Sequence, residues 1–461
     1  MEAQEFDLVV LGAGPGGYTA ALEAARAGLR VAVVERDTPG GTCLARGCIP
    51  TKTLLHAAEL ARTAREGAAF GVRCEGVSVE MAALADYKDE VVGRLSAGIT
   101  RLFEQNRVAL FAGSGKVTAP GTVAVTGAAP ALLRAPRLLI AVGGCPAPLP
   151  LPGIGLPGVY DSSSMLARRA LSPSLVIIGG GVIGMEFASL YAALGSRVTV
   201  LEAADRILAN LDREFGQNLK MILKKQGVEI HTGAALTAIT AGDDGGLTCH
   251  YTEKEQPQTS SGAAVLVAVG RRPATDDLFA SGCAPEMERG RILVGAGGET
   301  SVPGMWALGD VTNGVQLAHA ASAAAVNTVA AMLGRPLPLD TAAIPACVYT
   351  SPEIASVGLT ADEAAARGIP AFCRRYVMGA NGKTVLTRQE RSFLKLVCAP
   401  GSGRVLGCQM MCARATDMIG EAAVAVANGL TAAQLARAVR PHPTYEEALG
   451  ELARECAAAA D

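Results

Sequence analysis

Two cysteines in the segment GGTCLARGCIPTK, Cys43 and Cys48, stand in a setting that could support thiol chemistry. On a regular helix a separation of five residues advances about 7.5 Å and points the side chains apart. A disulfide needs Cα atoms within about 7 Å. Gly47 permits unusual backbone dihedrals, and Pro50 lacks an N–H and disturbs the carbonyl near Arg46. The segment therefore supplies what a distorted turn needs to bring two sulfurs together.

Three interpretations compete for this cysteine pair. A zinc half-site usually has closer spacing, and no histidine or cysteine partners recur nearby, so we expect no metal. Two inert buried thiols are also possible, because free cysteine often behaves as a small hydrophobe. We favour the third interpretation, a labile redox disulfide that closes a short loop across a strained turn. The other cysteines form no CxxC pair and are typical of buried thiols in a reducing compartment.

A disulfide of this kind needs a base, and the segment RPHPTYEEALGE near the end of the chain offers one. His442 lies between two prolines that restrict the local backbone. Glu447, five residues later, is predicted in the first turn of the final helix, from which it could orient the imidazole. A histidine–carboxylate pair suits proton transfer near neutral pH. The alternative is a surface histidine beside a proline turn.

The elements that position these residues repeat along the chain at an offset of 167 residues. Residues 6–35 and 174–202 each show an apolar strand, a glycine turn, a periodic helix, a second apolar strand and a final glutamate. Glycines in such a turn let backbone N–H groups approach a pyrophosphate at a helix N-terminus. Two copies with matching spacing predict two dinucleotide-binding folds. The corresponding glycines are Gly12, Gly14 and Gly17 in the first copy and Gly179, Gly181 and Gly184 in the second.

The acid that closes each repeat, Glu35 or Glu202, is placed to accept hydrogen bonds from a ribose. Glu202 is followed by two alanines, which favours NAD over NADP, although Arg206 is near. The segments LLIAVGG, 138–144, and VLVAVGR, 265–271, resemble each other and predict late strands that return beside each nucleotide crevice. Asp310, at the end of TSVPGMWALGD, is either a turn residue or a contact to a cofactor hydroxyl.

Composition limits the function classes. The chain has 461 residues and a formal net charge of −2, which gives no electrostatic reason to expect nucleic acid or an anionic membrane as a partner. The apolar stretch 174–195 contains Glu186 and several glycines, so it fits a buried strand–turn–helix better than a membrane span. With no basic and apolar leader in MEAQEFDLVV, we expect a cytoplasmic protein.

In these motifs, the chain resembles the pyridine nucleotide-disulfide oxidoreductases, and among them the dihydrolipoamide dehydrogenases. The segments that carry the resemblance, in chain order, are GAGPGGY, GGTCLARGCIPTK, GGGVIGMEFA, VAVGRRP, GMWALGD, QLAHAAS, VYTSPEIASVG and HPTYEE. QLAHAAS and Val182 resemble the dihydrolipoamide enzymes more than glutathione reductases. Ala45, Arg440 and Pro441 depart from residues that are usual in the family.

The resemblance implies FAD in the first fold and NAD in the second. Lys52 would lie near the flavin and pair with Glu186, and Cys43, Cys48, His442 and Glu447 would be catalytic. The FAD-binding residues would be Gly12, Gly14, Gly16, Gly17, Glu35, Gly41, Thr42, Lys52, Gly115, Val142, Gly143, Gly144, Asp310, Gln316, Leu317, Ala318 and His319. The NAD-binding residues would be Gly179, Gly181, Val182, Ile183, Gly184, Glu186, Glu202, Leu236 and Gly270.

The expected fold is α/β, with two Rossmann-like folds, one inserted in the other, and a C-terminal α+β dimerisation domain. We predict an FAD-binding domain in residues 1–148 and 273–343, an NAD-binding domain in 149–272 and the dimerisation domain in 344–461. His442 and Glu447 would serve the disulfide of the second subunit in a homodimer.

The resemblance implies oxidation of dihydrolipoamide, free or on lipoylated carrier domains of a multienzyme complex, with reduction of NAD⁺. The alternative is an NAD(P)H-dependent reductase of a small disulfide such as glutathione. Val182 and Glu202 argue against that alternative. A flavin-fold binding protein without turnover ranks below both, because all reacting residues are present.

Overall fold

The computed structural model describes residues 2–242 and 245–460. The strands are β1 Ala3–Glu5, β2 Leu8–Leu11, β3 Val31–Glu35, β4 Ala109–Ala112, β5 Ser114–Ala119, β6 Thr122–Thr126, β7 Ala131–Arg134, β8 Leu138–Ile140, β9 Gly144–Pro146, β10 Val159–Asp161, β11 Ser174–Ile178, β12 Arg197–Glu202, β13 Glu229–Thr232, β14 Ala234–Ala241, β15 Leu247–Glu253, β16 Gln256–Gly262, β17 Ala264–Val267, β18 Arg271–Pro273, β19 Met287–Glu288, β20 Arg291–Ile292, β21 Met305–Ala307, β22 Ala346–Val348, β23 Glu353–Gly358, β24 Phe372–Val377, β25 Phe393–Cys398 and β26 Val405–Cys412. The α-helices are α1 Pro15–Arg26, α2 Gly41–Arg46, α3 Cys48–Glu66, α4 Met81–Gln105, α5 Ser162–Leu166, α6 Val182–Leu194, α7 Arg213–Lys225, α8 Ala318–Met332, α9 Ala361–Ala366, α10 Gly382–Leu386, α11 Ala415–Ala427, α12 Ala432–Ala436 and α13 Glu447–Ala458. Short 3₁₀ helices cover Gly67–Phe70, Gly309–Val311 and Met378–Ala380.

The first nucleotide-binding fold is a parallel sheet in the order β21-β8-β2-β3-β4. Its central strands β2 and β3 are fully buried and consist of valine, leucine and alanine apart from the final Glu35, as expected for a parallel sheet covered on both faces. Helices α1, α4 and α8 cover one face, and a second sheet, β1-β7-β6-β5, covers the other. Strand β21 comes from a segment after the second fold, so the second fold is inserted into the first.

The second fold repeats this plan with the parallel sheet β10-β17-β11-β12-β13. Helices α6 and α7 pack on one face, and the antiparallel sheet β14-β15-β16 packs on the other. The segments 138–144 and 265–271 contribute β8 and β17, which lie beside the first strand of their own fold. The predicted internal repeat is therefore confirmed as a repeat of structure.

The third domain is an antiparallel sheet, β22-β23-β26-β25-β24, with α11 and α13 packed on one face. The fold class expected from the sequence is confirmed, whereas the residue limits of the domains stay predictions. The stretch 174–195 forms β11, a glycine turn and α6. Within the described residues, none of the helices is both long enough and apolar enough to cross a membrane.

Candidate active site

The two cysteines lie on either side of a break between two helices. Cys43 is in the middle of α2, and Cys48 is the first residue of α3. Gly47 between them has φ −144° and ψ −107°, which interrupts the helical path. A Cβ at Gly47 would lie 2.9 Å from the carbonyl oxygen of Thr42, so the tight turn requires glycine. The distorted turn expected from Gly47 is present.

The two thiols form a hydrogen-bonded pair in which the charge belongs on Cys48. The hydrogen bond from Cys43 and the nearby Lys52 ammonium lower the pKa of Cys48 to about 7, against an opposing contribution from burial. The same hydrogen bond and burial raise the pKa of Cys43 far above its usual range. Cys43 is therefore a thiol that donates to the Cys48 thiolate. Contact between the two side chains is what a disulfide at this position requires.

Lys52 is held beside the cysteines by an ion pair with Glu186. Its Nζ lies 2.8 Å from Oε2 and 3.0 Å from Oε1 of Glu186, which is 4% exposed. Lys52 is one turn along α3 from Cys48, and Glu186 is in the first half of α6. The pairing of Lys52 with Glu186 expected from the resemblance is present in the structure.

The first glycine turn has the geometry of a dinucleotide cradle. Gly12 has φ +96°, and an added Cβ there would meet the carbonyl of Ala141. Gly14 caps α1 without any side-chain hydrogen bond, and a Cβ on it would contact no atom of the protein. The helix N-terminus therefore faces open space with free N–H groups, which suits a pyrophosphate. Glu35 at the end of β3 accepts a hydrogen bond of 2.7 Å from the N–H of Ala13.

The second turn reproduces this geometry. Gly179 has φ +111°, and Gly181 caps α6 with open space beside it. The Glu202 carboxylate accepts hydrogen bonds from the N–H groups of Gly180, at 2.5 Å, and Ala204, at 2.6 Å. Arg206 donates instead to the carbonyl of Ala209 at 2.7 Å. Arg206 is thus engaged with the backbone.

One continuous cavity of about 1400 Å³ joins both glycine turns to the cysteine pair. This volume exceeds that of a typical small-ligand pocket, about 300–1,000 Å³, and is suited to two nucleotides. Most of the predicted site residues line it. They are Gly12, Gly14, Gly16, Glu35, Gly41, Thr42, Cys43, Cys48, Lys52, Val142, Gly143, Gly144, Gly179, Gly181, Val182, Ile183, Glu186, Glu202, Leu236, Gly270, Asp310, Gln316, Leu317, Ala318 and His319.

Three predicted glycines lie behind the cavity wall. Gly17 and Gly184 are inside α1 and α6, where an added Cβ would overlap the carbonyls of Gly12 and Gly179. Gly115 is in β5, packed against the Leu11 side chain of the neighbouring sheet. These three glycines therefore allow close packing of the backbone that forms the cradle.

His442 and Glu447 also lie outside the cavity of their own protomer. His442 Nδ1 is 2.9 Å from Oε1 of Glu447, which is the first residue of α13. Hydrogen bonds from the N–H of Thr444 and from His442 lower the pKa of Glu447. The imidazole is 77% exposed, and its other nitrogen is directed away from the carboxylate partner. The expected histidine–carboxylate pair is present on the surface of the protomer.

Sequence reasoning missed several residues of the cavity wall. Arg271, at the start of β18, donates to the carbonyl of Gly144, and its Nε lies 3.6 Å from Oδ2 of Asp310. Burial raises the pKa of Asp310, whereas the charge of Arg271 lowers it. The dipeptide Arg271–Arg272 after Gly270 was the available signal. Tyr349 and Cys347 come from β22 and the residue after it. The segment VYTSPEIASVG contains Tyr349, but it does not indicate a contact with Lys52, because that proximity arises only from domain packing.

The residues fit the cofactors better than a metal. Among the residues that the structure describes, no group of three or more histidine, cysteine or acidic side chains could hold a metal ion. An open helix N-terminus with a glutamate at the end of the next strand, buried Glu35 or half-buried Glu202, occurs twice around the cavity, which matches two dinucleotides. The residues present therefore fit FAD on the first turn and NAD on the second.

Comparison with known families agrees with this geometry. The model of the pyridine nucleotide-disulphide oxidoreductases matches residues 6–325, and the model of their dimerisation domain matches residues 344–453. The chain belongs to this family. Two curated members are each named dihydrolipoyl dehydrogenase. The enzyme from Bacillus subtilis is 38% identical, with 98% of both chains covered, and that from Geobacillus stearothermophilus is 36% identical, with 99% and 96% covered.

Two solved structures superpose over nearly the whole chain. LpdA from Mycobacterium tuberculosis has a TM-score of 0.90 at 26% identity, with 97% of this chain and 99% of that chain covered. The HOCl-induced flavoprotein disulfide reductase RclA from Escherichia coli, as its Cu(II) complex, has a TM-score of 0.86 at 28% identity, with 98% and 99% covered. The overall arrangement of the domains is therefore shared with these two proteins.

Proposed function

We propose that this protein oxidises dihydrolipoamide to lipoamide with NAD⁺ as acceptor, FAD as resident cofactor and Cys43–Cys48 as redox disulfide. The observation that carries the proposal is the cavity that joins the cysteine pair to both dinucleotide turns. The full-length relatives named dihydrolipoyl dehydrogenase support this substrate and direction.

The protein residues divide the thiol chemistry among them. His442 accepts the proton of one substrate thiol, and Glu447 orients its imidazole. The substrate thiolate attacks Cys43, a mixed disulfide forms, and Cys48 leaves as the thiolate. Cys48 is the better leaving group because its pKa is the lower of the two. The second substrate thiol then closes the lipoamide ring, so one disulfide is broken and one is made.

Lys52 and the glycine turns serve the next stage. The ammonium stabilises the Cys48 thiolate and would lie against the flavin. When bound, FAD supplies a two-electron relay from the dithiol to NAD⁺. Glu35 would bind the FAD ribose, and Glu202 would bind the NAD ribose. The engaged Arg206 and the alanines after Glu202 favour NAD over NADP.

In this proposal the site is complete only in a homodimer, because neither His442 nor Glu447 lines the cavity of its own protomer. The dimerisation-domain match supports a dimer. In our proposal each histidine serves the disulfide of the other subunit. The substrate would be carried on lipoylated domains of a multienzyme complex.

We keep the predicted domain limits, 1–148 with 273–343, 149–272 and 344–461, because each of the parallel sheets and the C-terminal sheet falls within one of these domains. The cytoplasm is the proposed compartment. Exposed Cys74 and the buried, unpaired Cys249 suit a reducing environment.

The test compares purified protein with dihydrolipoamide plus NAD⁺ against glutathione disulfide plus NADPH. We expect turnover with the first pair, and Cys48→Ser should abolish it while flavin stays bound. Cys74→Ser, which removes an exposed thiol, is the control and should behave as wild type. Normal turnover by Cys48→Ser would exclude the disulfide mechanism.

A second candidate, an NAD(P)H-dependent reductase of a small disulfide, is favoured by the likeness to the flavoprotein disulfide reductase RclA. The same cysteine pair would then pass electrons in the opposite direction, from the reduced nicotinamide to the disulfide substrate. Faster turnover with a reduced nicotinamide and a disulfide than with dihydrolipoamide and NAD⁺ would select this candidate.

A further inference from the structure

The Lys52 ammonium has a second partner besides Glu186. Its Nζ lies 4.5 Å from the centre of the Tyr349 ring. The backbone N–H of Tyr349 also donates to Oε1 of Glu186 at 3.0 Å. Tyr349 therefore contacts both members of the ion pair, one through its ring and the other through its backbone.

These three residues come from three domains. Lys52 lies on α3 of the first fold, Glu186 on α6 of the second fold, and Tyr349 directly follows β22 of the third domain. The tyrosine stands at the edge of the cavity, 36% exposed, and lines the same cavity as Cys48. The position of the ammonium is thus set jointly by the packing of all three domains.

The ring acts on Lys52 as a neutral aromatic face. Burial raises the pKa of Tyr349 to about 12, so its phenol stays protonated in the physiological range. A cation over an aromatic face is attracted by the ring quadrupole. The ring therefore offers the ammonium a second attractive contact in addition to the Glu186 carboxylate.

The location of this ammonium matters because the charges around Cys48 oppose each other. Lys52 lowers the pKa of Cys48, whereas Glu186 raises it. Cys43 faces Cys48 from α2, and Cys347 of the third domain lies near both Lys52 and Glu186. Glu353 and Asp417 of the third domain lie near Cys347 and Tyr349. Burial raises the pKa of Cys347 to about 11, so that residue is a neutral thiol near pH 7. Movement of Lys52 towards Glu186 would weaken its effect on Cys48.

We propose that Tyr349 is a positioning residue whose ring and backbone N–H hold the Lys52–Glu186 pair where Lys52 serves Cys48. This inference deepens the proposed function, since it names a residue that acts on the redox cysteine through Lys52. The structural basis is the direct contact of one residue with both charged groups.

The test compares Tyr349→Phe, which keeps the aromatic face, with Tyr349→Leu, which removes it. The readout is the midpoint of thiolate formation at Cys48 in the reduced protein, followed by ultraviolet absorbance against a Cys48→Ser background. We expect the phenylalanine variant to match wild type and the leucine variant to titrate about half to one pH unit higher. The acidic limb of the pH–rate profile should move by the same amount.

The proposal would be overturned if Tyr349→Leu had the same midpoint as wild type. It would also be overturned if the midpoint of Tyr349→Phe shifted as far as that of Tyr349→Leu. If Tyr349→Leu does not fold, Tyr349→Met gives the same comparison with a more flexible side chain. The titration uses neither dihydrolipoamide nor NAD⁺. A shifted titration without dihydrolipoamide turnover in wild type would therefore reject the proposed function and leave the role of Tyr349 standing.

Discussion

Cys48 is poised at its protonation midpoint near neutral pH because Cys43 donates a hydrogen bond to it and Lys52 lies close. Below about pH 7 the thiol form dominates, and above it the thiolate dominates. Lys52→Met removes a positive charge that favours the thiolate, so we predict a higher pKa for Cys48. The measurement is ultraviolet absorbance of the reduced protein across the pH range.

A matched control for this variant is Lys224→Met, which removes an exposed ammonium in the last turn of α7. It should leave the midpoint unchanged. A lower midpoint in Lys52→Met would mean that Lys52 acts mainly by neutralising Glu186, whose charge raises the pKa of Cys48.

His442 is the proposed base for the substrate thiol. If the imidazole takes the substrate proton, His442→Ala should lower kcat for dihydrolipoamide by about 10²–10⁴-fold. Glu447→Gln keeps a side chain that can contact Nδ1 of His442, so it should lower kcat by a smaller factor than His442→Ala does. Steady-state kinetics of the three proteins is the measurement.

Reduction of an artificial dye by NADH provides the control for these variants, because it bypasses the dithiol substrate. Both variants should retain this activity at the wild-type level. A loss of less than about tenfold in His442→Ala would assign the imidazole a role outside catalysis.

Helix α13 presents Glu447 to His442, and Arg440 packs against this helix. Arg440 donates to Glu421 of α11 at 2.5 Å and to the carbonyl of Ala438 at 2.9 Å. A Cβ on Gly450 of α13 would lie 2.7 Å from the Arg440 Nη1. Gly450 therefore leaves room for a buried guanidinium that ties α11 to the segment before His442.

This packing predicts that Gly450→Ala changes the stability of the protein in the direction opposite to the usual one. In a helix interior, Gly→Ala ordinarily stabilises by about 1 kcal/mol. Gly450→Ala should instead destabilise the wild-type protein, because its methyl group displaces a guanidinium that has fixed acceptors. In an Arg440→Leu background the same change should be neutral or stabilising. Melting temperatures of the four proteins test this, and equal effects of Gly450→Ala in both backgrounds would contradict it.

At the scale of elements, sequence patterns predicted what depends on neighbours along the chain. The glycine turns, the closing acids Glu35 and Glu202, and the break at Gly47 follow from local backbone requirements. The contacts of Tyr349 with Lys52 and of Arg440 with Gly450 escaped prediction. They depend on how distant elements pack, and an arginine or tyrosine carries no local mark of its eventual partner.

In the whole molecule, three domains meet at the redox site. The third domain also has apolar side chains that are exposed in the protomer. Val439 is 97% exposed and stands three residues before His442. Val385, Leu386 and Val424 on the same domain are each more than half exposed. Where such side chains form one contiguous patch, they mark an interface. A second protomer on this surface would also cover His442.

A dimer with shared sites predicts complementation between two inactive variants. In a mixed dimer of Cys48→Ser and His442→Ala protomers, one site pairs an intact cysteine with the intact histidine of the other subunit. Random reassociation of equal amounts makes half of the dimers mixed, each with one working site of two. Activity should therefore recover to about one quarter of wild type. If each site were built within one protomer, the mixture would stay as inactive as its components. Dihydrolipoamide turnover before and after subunit exchange distinguishes the two arrangements.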